Sequence, residues 1–98
     1  MAVPHPNPLL ILLDPQDKLD ASNCRQLIST TKAACQQGYQ QIAMDMSQVR
    51  HISNCGLLTL NVIAEQLQKA QLPPMCLLDL QPHIKQTLKT SRFYNYTE

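Results

Sequence analysis

Short apolar runs alternate along this chain with stretches of helical periodicity. Residues 9–13 are continuously apolar and of strand length. Asp14-Pro15-Gln16-Asp17 follows as a turn sequence, and Lys18-Leu19 reads as a short strand remnant. Asp20 or Ser22 can cap a helix predicted to run to about Gln37, with Cys24, Leu27, Ile28, Thr31, Ala34 and Cys35 at helical spacing. Gly38 supplies its stop. Residues 41–46 read as a strand in which Ile42, Met44 and Met46 alternate with Gln41, Ala43 and Asp45. The apolar Ala43 on the second face suits a strand covered on both sides.

Residues 47–53 are expected to form a loop. A helix then runs from Asn54 to about Gln71, with Leu57, Leu60, Ile63, Ala64 and Leu67 as its buried stripe, and Pro73-Pro74 ends it. Residues 75–80 form a further apolar strand interrupted by Asp79. Pro82 suits the first position of a short helix to about Thr90, with Ile84 and Leu88 facing in. Strands alternating with helices predict an open α/β sheet with helices packed on it. The 98 residues make one domain, expected over residues 9–98. Pro4, Pro6 and Pro8 make residues 1–8 a flexible arm.

Composition mainly excludes. Hydrophobic residues make up 44%, so the chain is globular. The net charge is +1 and the eight Lys and Arg are scattered, which argues against nucleic acid and anionic membranes as partners. The longest purely apolar run is far short of the ~20 residues of a spanning helix, so no direct membrane insertion is expected. The opening residues have neither a basic region nor a long apolar one, so the expected location is the cytoplasm.

Cys24, Cys35, Cys55 and Cys76 include no C-x-x-C pair, and the first, second and fourth read as small buried residues. His5, His51 and His83 show no metal-ligand spacing. With Gly38 and Gly56 the only glycines, no phosphate-cradling loop can be built, and no cofactor is expected.

The segment with local character runs from Asp45 to Leu57, from a strand end through a loop into a helix start. Such a start presents unpaired N–H groups and a positive dipole end. Ser53 and Asn54 are both good cap residues, which fits a plain helix start as well as a docking or modification site. Cys55 stands in a first helical turn with His51 four residues away, the setting of a thiol nucleophile, but no orienting third residue or oxyanion pocket is identifiable.

Ile42-Ala43-Met44-Asp45-Met46-Ser47-Gln48-Val49-Arg50-His51-Ile52-Ser53-Asn54-Cys55-Gly56-Leu57 resembles the signature of the STAS domain family, which includes the bacterial anti-sigma-factor antagonists. That signature reads apolar strand, Asp-Leu-Ser-x-Val-x-x-Ile, then Asp-Ser-Ser-Gly-Leu opening a helix. Lys18-Leu19-Asp20-Ala21, the stretch 77–88 and Ser91-Arg92-Phe93 resemble other family segments. The resemblance implies a small mixed sheet of about four strands flanked by helices, and no catalysis.

It also implies a partner-switching role. The expected partner is an anti-sigma factor and serine-protein kinase of the histidine-kinase-like ATPase type, which phosphorylates the first Ser after the signature Asp. A PP2C-type phosphatase would be the partner that reverses this. The partner-binding surface is expected to include Asp45, Ser47, Ser53, Asn54, Cys55, Gly56 and Leu57. This sequence departs at the switch itself: Ser53 holds the signature Asp position, Asn54 the phosphoacceptor position and Cys55 the second Ser position. An amide cannot be phosphorylated, which leaves Ser53 as the candidate acceptor. Many relatives carry a further helix beyond the position of Tyr94, so the core is expected to be minimal or completed by a partner.

The expected function is thus an anti-sigma-factor antagonist-like binding module in transcription regulation. The alternative is a structural STAS subunit of a transporter-associated or stressosome-like assembly. A third class is a thiol enzyme using Cys55.

Overall fold

The computed structural model describes residues 10–98, and the arm expected over residues 1–8 lies outside them. The β1 strand is Leu10–Leu13, β2 is Lys18–Leu19 and the α1 helix is Cys24–Gln36. They are followed by β3 (Gln41–Asp45), β4 (His51–Ile52) and α2 (Asn54–Lys69). The chain then forms β5 (Met75–Leu78), α3 (Pro82–Thr90) and β6 (Tyr96–Thr97). Four strands make one sheet in the order β1-β3-β5-β6, and β2 pairs with β4 in a second, two-stranded unit. Helices flank the main sheet as the α/β pattern predicted. Every strand pairing among the described residues is parallel, because a helix separates each main-sheet strand from the next.

The apolar alternation decides which face is covered. Leu13, Ile42, Met44, Met75 and Leu77 point to one face and join Leu27, Leu60, Ile63 and Leu67 of α1 and α2 in a single core. The register places Leu12, Ala43, Cys76 and Thr97 in one row on the other face. That face is only partly covered: Ala43 is buried, whereas Leu10 and Leu12 are each 54% exposed.

Several boundaries differ from the sequence pattern for identifiable reasons. The α1 helix starts at Cys24 and is capped by neither Asp20 nor Ser22. Residues 20–23 form a turn instead, in which the Asp20 carbonyl accepts from the N–H groups of Asn23 and Cys24 at 3.2 and 3.1 Å. The Asp20 carboxylate accepts from the Ser22 N–H at 2.9 Å. Asn23 stands at the cap position, but its side chain is spent on the preceding loop: it donates to the Pro15 and Lys18 carbonyls at 3.1 and 2.7 Å.

The β5 strand stops at Leu78 because Asp79 takes φ 57°. The α2 helix stops at Lys69 because Gln71 turns left-handed at φ 60° and the Leu72 N–H closes onto the Leu67 carbonyl at 2.9 Å. Gly38 and Arg92 end α1 and α3 in the same way, with closing bonds from Tyr39 to Ala34 and from Phe93 to Leu88. Only one of these three stops is glycine, so only that one was announced. The two-residue strands β4 and β6 are too short to show any period; β4 falls within the expected loop 47–53.

The tightest approach in the fold is between α2 and β2. A Cβ built on Gly56 would collide with the Leu19 carbonyl oxygen and lie 2.9 Å from its carbon. In an exposed helix interior Gly→Ala gains about 1 kcal/mol. Here Gly56→Ala should instead destabilise by about 1–3 kcal/mol, the usual cost of overpacking, and Gly56→Val by more. Urea unfolding measures this, and an Ala variant as stable as the parent would contradict the close approach.

Candidate functional site

Between β3 and α2 the chain is pinned at nearly every second residue. Met46 and Val49 are fully buried, with the Val49 N–H donating to the Met46 carbonyl at 3.1 Å. Asp45 accepts from the Ser47 N–H at 3.0 Å. Hydrogen bonding from Ser47, its side chain first and its backbone N–H second, holds the Asp45 carboxyl below the ordinary carboxylate range. The Arg50 N–H donates to the Asp17 carbonyl at 2.9 Å, which sets β4 beside β2. From the other side, the Gln81 amide donates to the Ser47 carbonyl at 2.9 Å, and the His83 ring nitrogen meets the Arg50 carbonyl at 3.0 Å.

The pinned loop delivers the start of α2. The Ser53 N–H donates to the Leu19 carbonyl at 2.9 Å. Its hydroxyl accepts from the Gly56 N–H at 3.1 Å and reaches the same Leu19 carbonyl at 3.4 Å. Ser53 is therefore the working N-cap of α2. Of the seven residues expected at the contact surface, Ser47, Asn54 and Cys55 are exposed, Asp45, Ser53 and Leu57 are half-buried, and Gly56 is buried against Leu19. Leu58, one residue beyond that set, is 65% exposed.

Cys55 lies beside Cys24, the first residue of α1. The Cys24 thiol donates to the Asp20 carbonyl at 2.8 Å and to the Cys55 carbonyl at 3.4 Å. A hydrogen bond with the Cys24 thiol, followed by desolvation and the charges of Cys24 and Asp20, raises the Cys55 pKa. The catalytic thiol of an enzyme is activated by the opposite shift, so this one makes Cys55 a slow nucleophile. No hydrogen bond among the described residues joins Cys55 to His51, and no group of three or more His, Cys, Asp or Glu there is placed to hold a metal ion.

Both cysteines line an open groove of about 600 Å³ between α1 and α2, together with Ile28, Leu58 and Val62. Arg25 and Lys32 stand at its rim, and no acidic side chain lines it.

Sequence reasoning missed the supports rather than the surface. Leu19, Asn23, Gln81 and His83 position the site through backbone carbonyls, which no residue-type pattern reveals.

A four-stranded parallel sheet covered on one face, with a pinned strand-to-helix loop carrying an exposed helix start, defines an α/β domain that presents a helix N-terminus at its surface. The STAS domain family matches residues 2–97, and the chain belongs to that family. The chain is 27% identical over 78 residues to the "Putative anti-sigma factor antagonist BtrV" of Bordetella bronchiseptica, covering 80% of this chain and 66% of that relative's length.

Among solved structures, the anti-sigma factor antagonist SpoIIAA in its unphosphorylated form has a TM-score of 0.73 at 14% identity, covering 97% of this chain and 84% of that one. A sulfate transporter family protein from Wolinella succinogenes reaches 0.77 at 13% identity, covering 86% of this chain and 67% of that one. At such identities these likenesses show the fold alone. No helix among the described residues is long and apolar enough to cross a membrane.

Ser53→Ala should cost about 1 kcal/mol, the usual worth of an N-cap, read by urea unfolding. No loss would mean that the cap bond does not hold in solution. Asp45 titrates below its unfolded value, so its contribution to stability is fully present above the unfolded pKa and is lost as pH falls through the folded one. An NMR titration should therefore show the Ser47 amide shifting only below about pH 4, the ordinary carboxylate range. A transition above that range would contradict the assigned bond.

Proposed function

We propose that this chain is an anti-sigma-factor antagonist-like protein-binding module of a cytoplasmic partner-switching pathway in transcription regulation. It presents the start of α2 to a kinase-type anti-sigma factor and has no catalysis of its own. The observation that carries this reading is the exposure of Asn54, Cys55 and Leu58 on a helix start whose backbone is fixed from behind by Leu19. The relative named as an anti-sigma factor antagonist supports it. The partner is an anti-sigma factor and serine-protein kinase of the histidine-kinase-like ATPase type, with a PP2C-type phosphatase where phosphate has to be removed.

Asn54 occupies the phosphoacceptor position of the family signature and has no hydroxyl. The Ser53 hydroxyl is already engaged as the cap and is half-buried, so a kinase would have to displace its bond from the Gly56 N–H to reach it. Phosphoryl transfer depends on positioning, and a one-residue displacement rotates an acceptor by about 100° on a helix. The chain then works as a constitutively unphosphorylated, binding-competent form, or as a switch labelled slowly at Ser53.

A second reading draws on the half-open sheet. Leu10 and Leu12 lie exposed on its outer face, as a structural subunit of a transporter-associated or stressosome-like assembly would need.

The test uses a purified histidine-kinase-like anti-sigma kinase from the same organism. Asn54→Asp and Asn54→Glu place charge where relatives carry phosphate and should weaken binding by about 1 kcal/mol or more in calorimetry. Unchanged affinity in both would remove the start of α2 from the interface. In a kinase assay the parent should be unlabelled, or slowly labelled in a way that Ser53→Ala abolishes, and Asn54→Ser should gain rapid labelling. Rapid labelling of the parent that survives Ser53→Ala would move the acceptor elsewhere, with Ser47 first to examine.

A further inference from the structure

Two of the four cysteines stand together, and the binding role does not explain why. Cys24 opens α1 and Cys55 lies in the first turn of α2, 31 residues later. The Cys24 sulfur is 3.4 Å from the Cys55 carbonyl oxygen, and both cysteines line the same groove. Cys24 is buried and Cys55 exposed, so a soluble reagent meets Cys55 first and finds the second thiol behind it. The remaining cysteines cannot substitute. Cys35 lies eleven residues further along α1, about 16 Å at 1.5 Å per residue. Cys76 is on β5, on the sheet face turned away from the core.

We propose that Cys24 and Cys55 are a redox modification site, oxidised by peroxide-class oxidants to an intramolecular disulfide that ties the start of α1 to the start of α2. The Cys55 thiolate attacks one peroxide oxygen, and the O–O bond breaks to give the Cys55 sulfenic acid and hydroxide, which takes up a proton to leave as water. The Cys24 sulfur then attacks the Cys55 sulfur. The S–S bond forms, the S–OH bond breaks, and the departing hydroxide leaves as water with the Cys24 proton. Two thiols lose two electrons in all, and one peroxide is reduced to two waters. A thiol reductant reverses the change through a mixed disulfide.

The upward shift of the Cys55 pKa keeps this thiol protonated near neutrality and makes it slower than a free cysteine. Oxidation of the pair removes the Cys24 bonds to the Asp20 and Cys55 carbonyls and redraws the turn that presents Asn54. A redox change then acts where the family signature carries phosphate, a consequence that rests on the binding surface proposed above. The disulfide chemistry does not depend on it.

Trypsin separates the four cysteines into four peptides: 19–25, 33–50, 51–69 and 70–85. The folded full chain is exposed to hydrogen peroxide, remaining thiols are alkylated, and intact mass and peptides are read by mass spectrometry. The expected result is the loss of two hydrogens, a link between peptides 19–25 and 51–69, and release by dithiothreitol. Cys24→Ser and Cys55→Ser should each abolish the link, with circular dichroism confirming that they fold, while Cys35→Ser and Cys76→Ser should retain it. A link between any other pair of peptides, a dimer through Cys55, or sulfinic acid on Cys55 without a link would overturn the proposal.

Binding of the kinase to the reduced and oxidised chain separates the two readings. If the link forms but neither form binds, the binding function fails and the redox site stands. If the reduced chain binds and no link forms, the redox site fails alone.

Discussion

One backbone carbonyl organises this domain. The oxygen of Leu19 accepts from the Ser53 N–H, lies within reach of the Ser53 hydroxyl, and occupies the space that any side chain at Gly56 would need. Leu19 is fully buried, so the carbonyl has no water to turn to and must find its partners within the chain. It does so by drawing the start of α2 onto β2. The pairing of β2 with β4, the capping of α2 and the requirement for glycine at Gly56 are three consequences of that contact.

A binding surface follows from where that contact leaves the chain. The backbone of α2 is fixed on its inner side by the cap and by the buried Leu60, Ile63 and Leu67. Its first two turns therefore present Asn54, Cys55 and Leu58 without having to order them when a partner arrives, and preorganisation of this kind lowers the entropic cost of association. The loop before it is tethered from the opposite side by Gln81 and His83. Residues from β2, β3 and α3 thus converge on a surface to which they contribute little exposed area.

The main elements were legible because each has a strong period or a strong stop. The apolar run at β1, the stripe of α2, and Pro82 at the first position of α3 correspond to observed elements within a residue or two. The start of α1 was not legible, because Asp20, Ser22 and Asn23 are all competent caps and the choice among them depends on carbonyls brought in by folding. The left-handed stops at Gln71 and Arg92 were hidden because side chains other than glycine occupy them. At the site, the register of Asp45, Ser47, Val49, Ile52, Gly56 and Leu57 pointed to the right segment. Which of those residues face solvent was settled only by the fold, since Gly56 proved to be packing and only Ser47 among them is fully exposed.

Hydrogen exchange on the free chain and on the chain with the kinase is the most direct measurement of the claim that a rigid, exposed start of α2 is the contact. In the free chain, the Ser53 and Gly56 amides should exchange as slowly as those of β3. With the kinase bound, the additional slowing should fall on residues 47–50 and 54–58. Rapid exchange at Ser53 in the free chain, or slowing confined to β1 and the outer face of the sheet around Leu10 and Leu12, would contradict it.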